Sequence, residues 1–271
     1  MRSQILDIHV DYARAELEGT GAPKLHTYIL DNWSDQEPAE LRPAVVICPG
    51  GGYAMTSNRE AEPIAARFCS LGYHCFVLRY TVAPMRFPGA LLELSASVAL
   101  VREHAAEWRI DPDRIYVCGF SAGGHLACSL GMFWNRDFVT EPLNLRGQEN
   151  KPNGMILGYP VISSGEFAHH ESFHCLLQDH YEEQCELVSL EKRVSRDTPP
   201  AFLWHTVEDS GVPVENSLLL ASALRAADIP FEMHLYQHGC HGLSLANELT
   251  GWVEPSCQTW VDLADKWIRS L

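Results

Sequence analysis

The chain has 271 residues, of which 46% are hydrophobic and 20% charged, the make-up of an ordinary globular protein. A formal net charge of −15 excludes a nucleic-acid-binding surface, which needs a basic patch, and opposes adsorption to anionic lipid; the acidic surface is read as solubilising. No stretch approaches the roughly 18 apolar residues of a membrane helix, and Met1 to Asp7 lack the apolar core of a secretion signal.

The predicted elements alternate along the chain. Ile5 to Val10 and Leu25 to Leu30 are expected to be two early antiparallel strands, joined through Gly19-Thr20-Gly21. Ala44 to Cys48 is a continuous apolar run, the mark of a strand buried on both faces, and Pro49-Gly50-Gly51-Gly52-Tyr53 ends it. Pro63 to Ser70 is predicted helical and Tyr73 to Leu78 is the next buried strand. From Pro88 to Trp108, Leu91, Leu94, Val98, Val101 and Ala105 recur at helical spacing and predict one long amphipathic helix. Asp111-Pro112-Asp113-Arg114 turns the chain into another strand, Ile115 to Cys118.

Beyond that strand and the helix after it, Asn135 to Asn153 is polar and irregular, and Gly154 to Pro160 reads as a strand. Ser163 to Arg196 breaks the rhythm with mixed aromatic, histidine and acidic residues, and is expected to be a helical insertion, about 163–197, capping the sheet. Ala201 to His205 resumes the sheet, Asn216 to Ala226 is a helix and Phe231 to Tyr236 the last strand. Trp260, Ala264, Trp267 and Leu271 mark a C-terminal helix. This alternation predicts an α/β fold, a mostly parallel sheet flanked by helices, in a single domain over 1–271.

Chemistry concentrates at four places. The apolar strand ending in Gly119-Phe120-Ser121-Ala122-Gly123 and running at once into a small-residue helix is the setting a nucleophile elbow requires. Gly119 and Gly123 must be small for strand and helix to approach, and Ser121 would sit at a helix N-terminus, where N–H groups face a developing negative charge. A serine nucleophile needs a base, a group to orient that base, and oxyanion donors. Candidate acids lie after the Ala201–His205 strand, Asp209 first and Glu208 as the alternative. The base is read as His241 in Gly239-Cys240-His241-Gly242, in preference to His238. The oxyanion donors are expected at the backbone of Ala122 and of Gly51 or Gly52. Tyr53, Tyr80, Tyr159 and Trp204, with Phe167 and Phe173 of the insertion, are candidates to line the substrate pocket.

The nine cysteines form an odd count, show no metal-ligand spacing and fall partly inside apolar strands, at Cys48, Cys75 and Cys118. They are expected to be buried free thiols in a reducing cytosol, and the location is expected to be cytoplasmic. His169, His170, His174 and His180 lack a carboxylate or cysteine pattern that would fix a metal, so neither metal nor cofactor is expected.

Pro-Gly-Gly-Gly-Tyr at 49–53, Asp-Pro-Asp-Arg-Ile at 111–115, Gly-Phe-Ser-Ala-Gly-Gly-His-Leu-Ala at 119–127, Val-Pro-Val-Glu-Asn-Ser-Leu at 212–218 and His-Gly-Leu-Ser-Leu-Ala at 241–246 form one pattern. Together they resemble the α/β-hydrolase acetyl esterases, the lipase/esterase-like group with xylan and xylo-oligosaccharide deacetylating members. The resemblance runs from about Ala44 to the C-terminus. It implies Ser121 as nucleophile, Asp209 as orienting acid, His241 as base, and Gly51, Gly52 and Ala122 near the oxyanion. Pro49 stands where many lipase-like esterases open this loop with histidine, which sets the chain apart from the hormone-sensitive-lipase branch. The expected partner is a small-molecule ester or an acetylated oligosaccharide, with homo-oligomerisation left open. An amidase, formamidase or peptidase using the same triad, or a non-catalytic small-molecule-binding hydrolase fold, are the competing readings.

Overall fold

The apolar runs assemble into one sheet in a computed structural model that describes residues 1–31 and 41–271. In chain order the elements are β1 (Arg2–Asp7), β2 (Lys24–Ile29), β3 (Arg42–Cys48), α1 (Glu62–Ser70), β4 (His74–Arg79), α2 (Gly89–Glu103), α3 (Ala105–Trp108), β5 (Ile110–Phe120) and α4 (Ala122–Phe133). There follow α5 (Asp137–Thr140), β6 (Gly154–Gly158), α6 (His170–Leu177), α7 (Tyr181–Gln184), β7 (Ala201–Thr206), α8 (Glu215–Ala226), β8 (Phe231–Tyr236) and α9 (Trp260–Ser270). The eight strands lie in the order β1-β2-β4-β3-β5-β6-β7-β8. β1 with β2 and β2 with β4 are antiparallel; all other pairs are parallel, giving a mostly parallel sheet flanked by helices.

The continuous apolar strands follow from burial on both faces. Alternate residues of one strand enter opposite cores: Ala44, Val46 and Cys48 of β3 pack on the side of α2, α4 and α8, while Val45 and Ile47 pack on the side of α1 and α9. β7 does the same, with Ala201 and Leu203 on one side and Phe202 and Trp204 on the other.

Three local expectations need correction. The first strand is Arg2–Asp7 rather than Ile5 to Val10, because pairing with β2, Arg2 against Ile29 through Asp7 against Lys24, sets this exposed edge strand's bounds. The long helix divides at His104, whose Nδ1 bonds the Leu100 carbonyl at 3.0 Å and whose ring stacks on Trp108. Asp111 to Arg114 lies within β5, where the pairing with β3 shifts register between Arg42 and Ala44. The stretch between β6 and β7, where the insertion was expected, holds α6, α7 and short 3-10 turns.

Candidate active site

Ser121 stands between β5 and α4 with φ 53° and ψ −122°, a left-handed backbone that a non-glycine residue holds only when its surroundings enforce it. Its N–H donates to the Gly158 carbonyl at 3.1 Å, and its own carbonyl accepts the N–H groups of His125 and Val161, each at 3.1 Å. A Cβ on Gly119 would lie 2.1 Å from the Gly123 carbonyl oxygen, and one on Gly123 would lie 2.1 Å from that of Cys48. The elbow's tightness is thus a backbone-to-backbone contact that only glycine allows.

His241 comes from the loop after β8. Its Nε2 lies 2.8 Å from Ser121 Oγ and its Nδ1 lies 2.7 Å from Asp209 Oδ2. Asp209 sits after β7 and is buried; its Oδ1 accepts the N–H groups of Gly211 and Val212, each at 2.9 Å. Burial opposes the charged carboxylate, but the hydrogen bonds from His205 and His241, joined by that from the Val212 N–H, outweigh it and hold the pKa well below the usual carboxylate range. An ionised Asp209 only accepts, so the proton of His241 lies on Nδ1 and Nε2 is free to take the serine proton. Glu208, the alternative acid, points elsewhere: it is exposed and pairs with His238 at 2.9 Å.

Gly51 and Gly52 follow β3 with φ 129° and 64° and line one cavity of about 620 Å³ together with Ser121, His169, His241 and Gly242. Ala122 opens α4, so its N–H falls in the first turn, where a helix offers no internal acceptor. The glycine loop is braced from behind: Tyr80 donates its hydroxyl to the Pro49 carbonyl at 2.7 Å, and the Gly50 N–H donates to Glu60 Oε2 at 2.8 Å.

The expected aromatic lining is a correction. Tyr53, Tyr80, Tyr159 and Trp204 are all buried and none borders the cavity. Tyr53 bonds His125 Nδ1 at 2.9 Å, and Trp204 stacks on Trp260 in the core beneath the α9 side. Tyr159 presents its ring edgewise to His241, with centroids 5.1 Å apart. Phe173 is buried against His125, and the Phe167 carbonyl accepts from Asn216 at 2.9 Å. The sheet's two helix layers cover these rings, which is why aromatic character alone misassigned them. Of the insertion's histidines, His169 precedes α6, His174 stacks on Tyr181, and His170 and His180 approach Tyr181 and Glu183.

Several supporting residues escaped sequence reasoning. Buried Glu60 joins the glycine loop to Tyr159, whose hydroxyl it accepts at 2.7 Å; Tyr159 in turn accepts the Ser244 N–H, three residues past His241, at 2.9 Å. His205 Nε2 donates to the Val212 carbonyl at 3.0 Å with Asp209 Oδ2 at 3.4 Å, leaving Nδ1 to accept from the Ser217 hydroxyl at 2.8 Å. Asn216 Oδ1 takes the N–H groups of Ile162 and Ser163, each at 2.9 Å, and anchors the insertion's start. The segment 212–218 was singled out as a motif, yet its work, through Asn216 and Ser217, is legible only from contacts distant in sequence.

Residues 30–224 match the family model described as BD-FAE. The chain is 40% identical over 220 residues to endo-1,4-beta-xylanase B of Butyrivibrio fibrisolvens, covering 78% of this chain and 34% of that one. It is 30% identical over 236 residues to an acetylxylan esterase of Xylanibacter ruminicola, covering 84% of this chain and 45% of that one. It therefore spans less than half the length of either of these curated relatives. Among solved structures it is similar to an acetyl ester-xyloside bifunctional hydrolase from Caldicellulosiruptor lactoaceticus, with 37% identity, a TM-score of 0.85, and coverage of 99% of this chain and 96% of that one.

Proposed function

The chain belongs to the BD-FAE family of α/β hydrolases, and we propose that it is a serine carboxylic-ester hydrolase that removes acetyl or other short acyl groups from carbohydrate or small esters through an acyl-enzyme. The observation that carries this reading is the relay from Ser121 Oγ through His241 to Asp209, at 2.8 and 2.7 Å, opening onto the cavity that Gly51 and Gly52 line. We read the whole chain as one hydrolase domain with a cap between β6 and β7. Its nine cysteines are free thiols, which fits a reducing compartment.

In this mechanism His241 Nε2 takes the Ser121 proton as Oγ attacks the ester carbonyl carbon. The carbonyl oxygen becomes an oxyanion beside the N–H groups of Ala122 and the Gly51–Gly52 loop. The tetrahedral species collapses, the alcohol leaves with the proton from His241, and the acyl group stays on Oγ. Water then attacks with His241 again as base, and the carboxylic acid departs as Ser121 recovers its proton. Asp209 keeps the imidazole in the required tautomer throughout.

The reading is tested with p-nitrophenyl esters from acetyl to octanoyl beside acetylated xylo-oligosaccharides, with Ser121→Ala as control. Hydrolysis confined to short acyl chains and lost in the variant is expected; absence of Ser121-dependent turnover of any ester overturns the proposal.

A further inference from the structure

Among the polar groups bordering the cavity, His169 has no role in the relay. It immediately precedes α6 in the insertion, and its Nδ1 lies 2.8 Å from Ser172 Oγ and 3.3 Å from the Ser172 backbone nitrogen. A backbone N–H only donates, so Nδ1 is an acceptor and the neutral ring carries its proton on Nε2. Burial, reinforced by the charge His241 carries when protonated, lowers the His169 pKa and favours this neutral donor form. Among the described residues Nε2 has no hydrogen-bond partner, while the ring borders the same cavity as Ser121 and His241.

Capping alone does not account for a histidine here, since asparagine, aspartate and serine cap helices better. The rest of this wall is also polar. Glu171 offers an acceptor, and Arg59, whose guanidinium has no hydrogen bond or ion pair among the described residues, offers a donor fork beside Gly242.

We propose that His169 Nε2–H recognises a hydroxyl on the alcohol half of the ester, so that the site selects acyl groups on polyhydroxylated alcohols over those on simple aryl or alkyl alcohols. This rests on the ester-hydrolase reading above and adds the residue that confers its substrate class. The acyl half faces the glycine loop, and the alcohol half extends beneath the insertion toward His169. The insertion thus supplies selectivity, while the sheet-borne residues supply the reaction.

The test uses His169→Asn, which keeps a capping acceptor for the Ser172 N–H and removes the Nε2 donor. The measured quantity is the ratio of kcat/KM for a monoacetylated methyl xyloside to kcat/KM for p-nitrophenyl acetate. The ratio should fall about tenfold in the variant, the effect of one lost hydrogen bond to substrate. The wild-type protein, given the sugar acetate lacking the hydroxyl next to the ester, should show a similar fall, with no further loss in His169→Asn. A ratio within about twofold of wild type, or equal use of the hydroxylated and deoxy sugars by the wild-type protein, overturns the assignment. Lack of Ser121-dependent p-nitrophenyl acetate hydrolysis instead overturns the ester-hydrolase reading, and this inference with it.

Discussion

Tyr159 and Glu60, 99 positions apart in sequence, meet through a buried hydrogen bond of 2.7 Å that ties the two loops of the site together. Glu60 holds the glycine loop at Gly50, and Tyr159 holds the His241 loop at Ser244, so one pair sets the spacing between the proposed oxyanion donors and the proposed base.

Tyr159→Phe removes the hydroxyl and leaves both Glu60 and the Ser244 N–H without this partner. A buried polar group left unpaired costs about 1–3 kcal/mol, so Tm should fall by roughly 2–10 °C. The loosened loops should lower kcat by roughly 10- to 100-fold. Calorimetry and ester kinetics on the variant check both; an unchanged kcat removes the pair from the positioning of the site.

Asp209→Asn preserves volume but abolishes the ionised acceptor that fixes the His241 tautomer. A fall in kcat of about 10⁴-fold is expected, by analogy with the same change in serine proteases. Glu208→Gln alters only an exposed contact with His238 and should remain close to wild type. The reverse ranking in a kinetic comparison would make Glu208 the orienting acid.

Gly123→Ala places a Cβ 2.1 Å from the Cys48 carbonyl oxygen and 2.4 Å from that of Pro49. These are backbone atoms of β3 and its following loop and cannot swing aside. Destabilisation of about 3 kcal/mol or more is expected, read as a lower urea midpoint or as loss of soluble protein.

His125 and His74 predict an acid-side weakening of the fold. Burial lowers the pKa of each to about 4 from 6.5. Their neutral forms fit the folded state, so the unfolded chain binds more protons between those values. Their contribution is complete above about pH 6.5 and drains away as pH falls toward 4, by an order of 3 kcal/mol for each histidine. Urea denaturation from pH 7.5 to 4.5 should show this slope, and His125→Gln should flatten it. A wild-type stability independent of pH over this window contradicts the assignment.

What the sequence disclosed and what it hid divide along physical lines. The buried strands, the elbow and the Gly51–Gly52 loop were legible because local sterics leave their mark in local composition: apolar runs for doubly buried strands, glycine where backbones touch. Ser121, Asp209 and His241 could be nominated because each follows a strand end on the same edge of the sheet. Glu60, His205, Asn216 and Ser217 could not, since their partners lie far along the chain or depend on side-chain direction. Tyr53, Tyr80, Tyr159 and Trp204 were misread as a lining because the helix layers that bury them exist only once the sheet has formed.

The most direct test of the central claim is to incubate the protein with diethyl p-nitrophenyl phosphate and follow residual esterase activity alongside the intact mass, mapping the modified peptide. If Ser121 is the nucleophile, one diethylphosphoryl group appears on Ser121, activity toward p-nitrophenyl acetate disappears in step with it, and Ser121→Ala takes up no label. Esterase activity that persists after Ser121 is fully labelled, or that disappears with the label on a different residue, contradicts the account.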